Sequence, residues 1–263
     1  MIQIDAGGLT FVGKERERNE DRFLVASMTG PPGRTDSSPA PATLLIVADG
    51  IGGLPHGDLA SHTAVKTIGD HIGAWHPTEP PTSSRHSLPG VRSKLASAIG
   101  HGHDEVSRAA ETVGAEHMGT TLTVAYVSFP ALYVAHVGDS RAYVVRGGRA
   151  YRLTSDHTLA EELSERMGRE VEADSPWHHV LTRALGPMEH GEATPQLRHV
   201  ALDPDDIVLL CTDGVTKHLS DTQLAETLRG EASSQLLATR VVEQANAAGG
   251  TDNITAAVAR FRR

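Results

Sequence analysis

Leu44–Leu45–Ile46–Val47–Ala48–Asp49–Gly50–Ile51–Gly52–Gly53 carries an unbroken apolar run into an aspartate and then into glycines. An apolar run of this length bounded by turn residues predicts a strand buried on both faces. Asp49 then stands at the strand's exit, where a carboxylate can point out of the core. The glycines that follow tolerate positive φ and let the backbone approach a ligand. One such stretch alone would read as an aspartate–glycine turn. The pattern recurs, however. Ile207–Val208–Leu209–Leu210–Cys211–Thr212–Asp213–Gly214 delivers a second aspartate–glycine pair, and Tyr133–Val134–Ala135–His136–Val137–Gly138–Asp139 ends a third apolar run in an aspartate. In Gly249–Gly250–Thr251–Asp252–Asn253 the order reverses, and the aspartate opens onto the strand-like Ile254–Val258. Four carboxylates at the ends of four core strands can meet at one edge of a sheet. Such a cluster repels itself unless protons or cations neutralise it. All-oxygen ligation favours hard ions, so the pattern predicts a magnesium or manganese site.

The 263 residues are 39% apolar and 22% charged, a balance that suits a globular protein, with aromatics at only 4%. The core must therefore rest on Leu, Val, Ile and Ala. No apolar stretch has the length of a membrane span, and Met1–Ile2–Gln3–Ile4–Asp5 lacks the basic start and apolar segment of a signal peptide. The single cysteine permits no internal disulfide. These features lead us to expect a cytoplasmic protein with no membrane contact. A net charge of −9 and the lack of a basic stripe interleaved with aromatics argue against nucleic-acid binding. The 15 histidines show no zinc spacing with the cysteine, and Cys211 reads as a small core residue, since no arginine closes a phosphate loop after it.

Along the chain, Ile2–Asp5 and Arg22–Ala26 read as short strands around a charged turn, and Gly30 to Pro41 as a mobile loop. His56 to Trp75 predicts a helix with a buried stripe of Ala64, Val65, Ile68 and Ile72. Asp58 serves it as a helix-start charge. Prolines between Pro77 and Pro89 separate it from a second helix over Val91–Val113, carried by Leu95, Ile99 and Val106. Strands over Thr121–Phe129, Leu132–Val137, Ala142–Arg146 and Ala150–Leu153 follow with turns too short for parallel crossovers, Gly147–Gly148 being a hairpin signal. Antiparallel pairing excludes a doubly wound nucleotide fold. Ser155 to His199 is polar and irregular, with helical patches near Thr158–Met167 and His179–Leu185, and predicts a segment that covers a site. Leu197–Leu202 and Ile207–Cys211 return to strand before final helices over Asp221–Arg229 and Ser233–Ala247. We expect one domain over 1–263, with buried antiparallel sheets inside and helices outside.

These motifs, in order, resemble the metal-dependent protein phosphatase family of the protein phosphatase 2C type, in its compact bacterial form. Gly13-x-x-Arg16-x-x-Asn19–Glu20–Asp21 resembles the opening motif, and Val47–Ala48–Asp49–Gly50–Ile51–Gly52–Gly53 the metal-bridging one. Met118–Thr121, Val137–Arg141, Leu153–His157, Leu181–Gly186, Cys211–Gly214 and Gly250–Asn253 follow in family order. Each is weak alone; the ordered set is specific.

The resemblance implies an α+β fold, an α-β-β-α sandwich of two face-to-face antiparallel sheets with helices on both outer sides, and a covering flap at about 155–200. It implies hydrolysis of phosphoserine and phosphothreonine in proteins by a metal-activated water, opposing serine/threonine kinases, with Arg16, Asp49 and Asp213 as the catalytic set. Asp49 would bridge two Mn²⁺ or Mg²⁺ ions and the Gly50 carbonyl would bind one of them. Asp213 and Asp252 would hold the other, while Glu20 and Asp21 would act through water. Arg16 would clamp the substrate phosphate. Asp139, with Asp213, matches a weaker third metal. The implied partners are phosphorylated proteins, a serine/threonine kinase among them, met by a monomer. Asp156–His157 and Thr182–Arg183 would frame the cover, and Gly119–Thr121 would start a strand without a catalytic role. Two positions depart from the pattern: Ile51 stands where many eukaryotic members carry a proton-donating histidine, and Lys217 where they carry an aspartate at the third metal. A pseudophosphatase binding module and a hydrolase of a small phosphorylated metabolite are the alternatives.

Overall fold

The structure is a computed structural model that describes residues 3–28, 42–51, 56–74, 90–172, 174–187 and 193–262. The loop expected over Gly30–Pro41, the prolines of Pro77–Pro89 and Gly52–Gly53 lie outside these residues. In chain order the elements are β1 (Gln3–Phe11), β2 (Asp21–Met28), β3 (Ala42–Asp49), α1 (Gly57–Gly73), α2 (Val91–Val113), β4 (Leu122–Ser128), β5 (Ala131–Val137) and β6 (Arg141–Arg146). There follow β7 (Arg149–Arg152), α3 (Leu159–Met167), β8 (Gln196–Ala201), β9 (Ile207–Cys211), α4 (Asp213–Thr216), α5 (Asp221–Thr227), α6 (Ser234–Ala248) and β10 (Ile254–Arg262).

The apolar run of β3 is buried from Ala42 to Ala48, and its alternation explains why. Leu44, Ile46 and Ala48 pack against Ile68 and Ile72 of α1 and Leu95 and Ile99 of α2. Leu45 and Val47 point the other way, into a layer shared with Val144, Leu210, Ala257 and Phe261. Successive strand residues alternate faces, so a strand lying between a helix layer and a second sheet must be apolar throughout. The same division splits β9: Leu209 and Cys211 meet Leu237 and Val241 of α6, while Val208 and Leu210 enter the inter-sheet layer.

Two five-stranded sheets result, ordered β1-β10-β9-β6-β7 and β2-β3-β4-β5-β8, with antiparallel pairing throughout. Helices α1 and α2 cover the second sheet, and α5 and α6 cover the first. This is the expected α-β-β-α sandwich.

Two local expectations are corrected. The strand read over Ile2–Asp5 runs to Phe11, straight through Gly7 and Gly8, which pair with Val258 and Ala257. A glycine pair usually weakens a strand. Here the Phe23 ring lies where a Cβ on Gly8 would sit, 2.6 Å away, so only glycine lets the sheets close. The helical patch expected over His179–Leu185 is absent. A 3-10 turn covers Pro176–His179, and the chain then runs on without helix, with isolated bridges from Leu181 to Thr158 and from Leu185 to Thr120. The backbone there is held by tertiary partners: Thr182 N–H donates to the His157 carbonyl and Leu185 N–H to the Thr120 carbonyl. Long-range bonds have overridden local propensity there.

Candidate active site

Strand parity builds the site. Asp49 shares the inner face of β3 with Leu45 and Val47, one step beyond the apolar layer. In the β2–β3 register Asp21 lies directly opposite Asp49. From the facing sheet, the hydroxyls of Thr212, after β9, and Thr255, in β10, donate to Asp21 Oδ2 at 2.8 and 2.6 Å. Strands of both sheets therefore end on one carboxylate. Asp213 is the first residue of α4, Asp252 precedes β10, and Asp139 follows β5. With Asp49 they line a cleft of about 260 Å³ whose walls also include Arg16, Glu20, Gly50 and Lys217. Of the residues expected at the site, all but Asp21 line the cleft; Asp21 is fully buried behind it.

The backbone around Asp49 is tightly held. Its N–H donates to Thr121 Oγ1 at 3.0 Å, and its carbonyl accepts from the Thr121 N–H and the Thr120 hydroxyl, both at 2.9 Å. Thr121 Oγ1 also lies 2.8 Å from Ser140 Oγ, beside Asp139. The Gly119–Thr121 motif thus does more than start a strand: it fixes the backbone that aims Asp49. At Gly50 a Cβ would run into the Gly57 carbonyl, so the chain can turn out of β3 and pass under the start of α1 only with glycine here.

Asn253 was missed as a site residue, although it stands in a quoted motif. Its Nδ2 donates to the Val12 and Arg18 carbonyls, each at 2.9 Å, and its Oδ1 accepts the Glu20 N–H at 2.8 Å. One side chain thereby ties the Arg16 turn to the edge that carries Asp252. Asn19 assists, donating to Thr10 Oγ1 and accepting the Asp21 N–H. Only a network of long-range contacts assigns these roles, and short-range sequence pattern carries no signal for them.

The electrostatics are lopsided. Burial, then Asp21, Asp213 and Asp139, push the Asp49 carboxyl well above its ordinary range. Burial raises Asp139 to about 8, with Asp213 adding to it. Asp21 rises to about 7, as burial outweighs the two threonine hydroxyls. Asp252 goes the other way. Burial alone would raise it, but Lys217, the Asn253 N–H and Arg16 together bring it below the usual range. Lys217 Nζ lies 2.5 Å from Asp213 Oδ2 and 2.7 Å from Asp252 Oδ2. Arg16 grips Asp252 through Nε and Nη2, at 2.9 and 3.0 Å. The guanidinium expected on a substrate phosphate is bound to this carboxylate here.

Among the described residues no three His, Cys, Asp or Glu side chains are arranged as a ready-made metal cage. The donor set nevertheless fits hard cations. Asp213 Oδ1 and Asp21 Oδ1 are buried without a hydrogen-bond partner, and an ammonium sits between Asp213 and Asp252 where a positive ion would balance them. Cys211 is out of reach of such chemistry: burial against the outer helices pushes its thiol up to about 12.

The segment that follows β7 is anchored where it leaves the strand. Asp156 accepts from Arg141 Nη2 at 2.7 Å and pairs with Arg152 at 2.5 Å. His157 accepts the Gly138 N–H on Nδ1 at 3.1 Å and donates its own N–H to the Gly138 carbonyl at 2.7 Å, bracing the turn that carries Asp139. Both residues tie the chain after β7 back to the sheet edge near Asp139. Beyond them His179 and Leu181 reach the cleft wall, a role that the polar, irregular sequence around them does not signal.

The sequence pattern of the protein phosphatase 2C family matches residues 66–254, so the chain belongs to that family. It is 32% identical over 246 residues to the serine/threonine phosphatase stp of Listeria monocytogenes, covering 92% of this chain and 90% of that one. It is 33% identical over 254 residues to the protein phosphatase PhpP of Streptococcus pneumoniae, covering 95% and 94%. Among solved structures, the catalytic domain of the serine/threonine protein phosphatase PstP in complex with two manganese ions superimposes with a TM-score of 0.78 at 27% identity, covering all of both chains. Dependence on Mn²⁺ or Mg²⁺ is a property of the family.

Proposed function

We infer that this chain hydrolyses phosphoserine and phosphothreonine in proteins and so opposes serine/threonine kinases. It is a protein-serine/threonine phosphatase, a phosphoric monoester hydrolase. The observation that carries the reading is the convergence of Asp49, Asp139, Asp213 and Asp252 on one cleft beside Arg16.

Asp49 and the Gly50 carbonyl would hold one divalent ion, and Asp49 with Asp213 and Asp252 a second. Glu20 and Asp21 would act through water, and Asp139 with Asp213 would hold a weaker third. When bound, Mn²⁺ or Mg²⁺ supplies charge neutralisation of these carboxylates and Lewis acidity toward a phosphate ester and a water. The chain's own residues do the remainder. Thr120 and Thr121 fix the Asp49 backbone, and Asn253 holds the Arg16 turn at the cleft. Arg16 exchanges Asp252 for phosphate oxygens, which its planar fork matches in pairs. Ile51 lines the cleft but carries no proton, so the leaving oxygen must be protonated from water. The segment at about 155–200 covers this site within one catalytic domain spanning 1–263. The partners are phosphorylated proteins, a serine/threonine kinase among them, and the working form is a cytoplasmic monomer. Among the described residues no helix is long and apolar enough to cross a membrane.

The test is hydrolysis of a phosphothreonine peptide by purified protein, with Mn²⁺ and then with excess chelator. Turnover that needs the metal and stops with chelator is expected. Metal-replete protein inert on phosphopeptides and aryl phosphates alike would overturn the reading. Faster turnover across a panel of phosphorylated metabolites would move the substrate class from proteins to small molecules.

A further inference from the structure

Among the described residues, Lys217 is the cation that bridges two carboxylates of the cleft. The i,i+4 step from Asp213 sets it there: Lys217 N–H closes α4 on the Asp213 carbonyl at 2.8 Å, and the side chain runs back over the same turn. Its ammonium engages Oδ2 of Asp213 and Oδ2 of Asp252. The other oxygen of Asp252 is already taken by Arg16 Nε and, at 2.9 Å, by the Asn253 N–H. Asp252 therefore has no spare oxygen for a divalent ion while Lys217 stays. An ammonium on a four-carbon stem can swing away, and the Lys217 side chain is 29% exposed, so a path into water exists.

We propose that Lys217 is a tethered competitor for the divalent cation shared by Asp213 and Asp252: it neutralises the pair without metal, must leave for the ion to enter, and so sets the metal affinity. This rests on the reading that Asp213 and Asp252 hold one ion together. A ligand that binds only when a site is released has its apparent affinity reduced by the fraction of molecules in the released state. Removing the lysine should recover that factor. The same substitution should weaken the metal-free protein, because two carboxylates lose their counter-charge, and leave the metal-loaded protein unharmed.

The experiment is titration calorimetry of Mn²⁺ into metal-stripped protein, with thermal unfolding of the stripped and loaded forms. Lys217→Gln should bind Mn²⁺ about three- to thirtyfold more tightly than the parent, melt lower when stripped, and gain more on adding Mn²⁺. Lys217→Arg keeps the charge and should not tighten binding. Lys14→Gln removes a neighbouring charge whose ammonium reaches the Ala247 carbonyl rather than the aspartates, and should leave affinity within about twofold. Equal tightening in Lys14→Gln would overturn direct competition in favour of a general field. Unchanged or weaker binding in Lys217→Gln would overturn the proposal outright. Asp213→Asn separates the two layers: if it binds Mn²⁺ like the parent, the shared-ion reading itself falls, whatever Lys217→Gln does.

Discussion

Asp21 and Asp49 face Asp213 and Asp252 across the end of the same sandwich, yet the two pairs are treated in opposite ways. The first pair is opposed in register, its Asp21 carboxyl is held by two threonine hydroxyls, and both carboxyls are pushed up. The second is clasped by Lys217 and Arg16, and its Asp252 is pushed down. Like charges directly opposite on neighbouring strands destabilise a sheet, and burial magnifies the cost. The fold tolerates this on one side only. The difference marks the Asp49 side as the part of the site that still requires positive charge, and the Asp252 side as the part already supplied with it.

The sharpest way to break this comparison is to neutralise one carboxylate from each pair. Asp49→Asn and Asp252→Asn should each cut phosphopeptide turnover by about a hundred- to a thousandfold, since each removes charge that a divalent ion needs. Assays at saturating Mn²⁺ check this. Their effects on the metal-free protein should have opposite signs. Asp49→Asn relieves a repulsion and should stabilise by ~1 kcal/mol, about 2 °C in Tm. Asp252→Asn strands Arg16, leaves Lys217 with Asp213 alone, and should destabilise by ~1–2 kcal/mol. Chelator-treated thermal melts decide it, and shifts of the same sign would erase the distinction.

Arg16→Ala should act on substrate more than on metal, lowering kcat/KM about ten- to a hundredfold while Mn²⁺ affinity changes little. Arg16→Lys should recover only part of that loss, because an ammonium keeps the charge but not the fork. An unchanged kcat/KM in Arg16→Ala would leave the guanidinium as a partner of Asp252 and nothing more.

The smallest effect concerns the turn that carries Asp139. Burial, with Arg183 nearby, lowers the His157 imidazole to about 4, against 6.5 for an ordinary histidine. The unfolded chain therefore takes up this proton first as acid is added. His157 contributes stability that is present above pH 6.5 and is lost as the pH falls toward 4, with a slope of at most ~1.4 kcal/mol per pH unit. Urea midpoints between pH 7 and 5 should show it, and His157→Gln should flatten the slope. An equal slope in both proteins would place the acid sensitivity elsewhere, with the stacked and buried His136 the next candidate.

Much of this was legible in the sequence because it is written in short-range pattern. The double-sided apolar runs of β3 and β9, each ending in an aspartate, foretell both the sheets and the cleft. Short turns foretell antiparallel pairing. What the sequence concealed depends on residues far apart in the chain. The continuation of β1 through Gly7 and Gly8 is decided by Phe23, and the non-helical path of residues 180–185 by Thr120 and His157. Asn253 looks like the tail of a turn motif until its contacts with Val12, Arg18 and Glu20 appear. Lys217 read as a weakened third-metal position, whereas its ammonium lies between the two aspartates expected to share the second ion.

The pairing of β1 with β10 has a consequence for how the molecule is born. Arg16 and Asp252 touch across 236 positions of chain, and the first strand can find its neighbour only when the last has been made. Contacts of such separation close late and slowly. A nascent chain still inside the ribosome at β10 lacks Asp252 and Asn253, and with them the partner of Arg16 and the tie on its turn. On the proposed reading, the cleft is therefore assembled only after synthesis has passed β10.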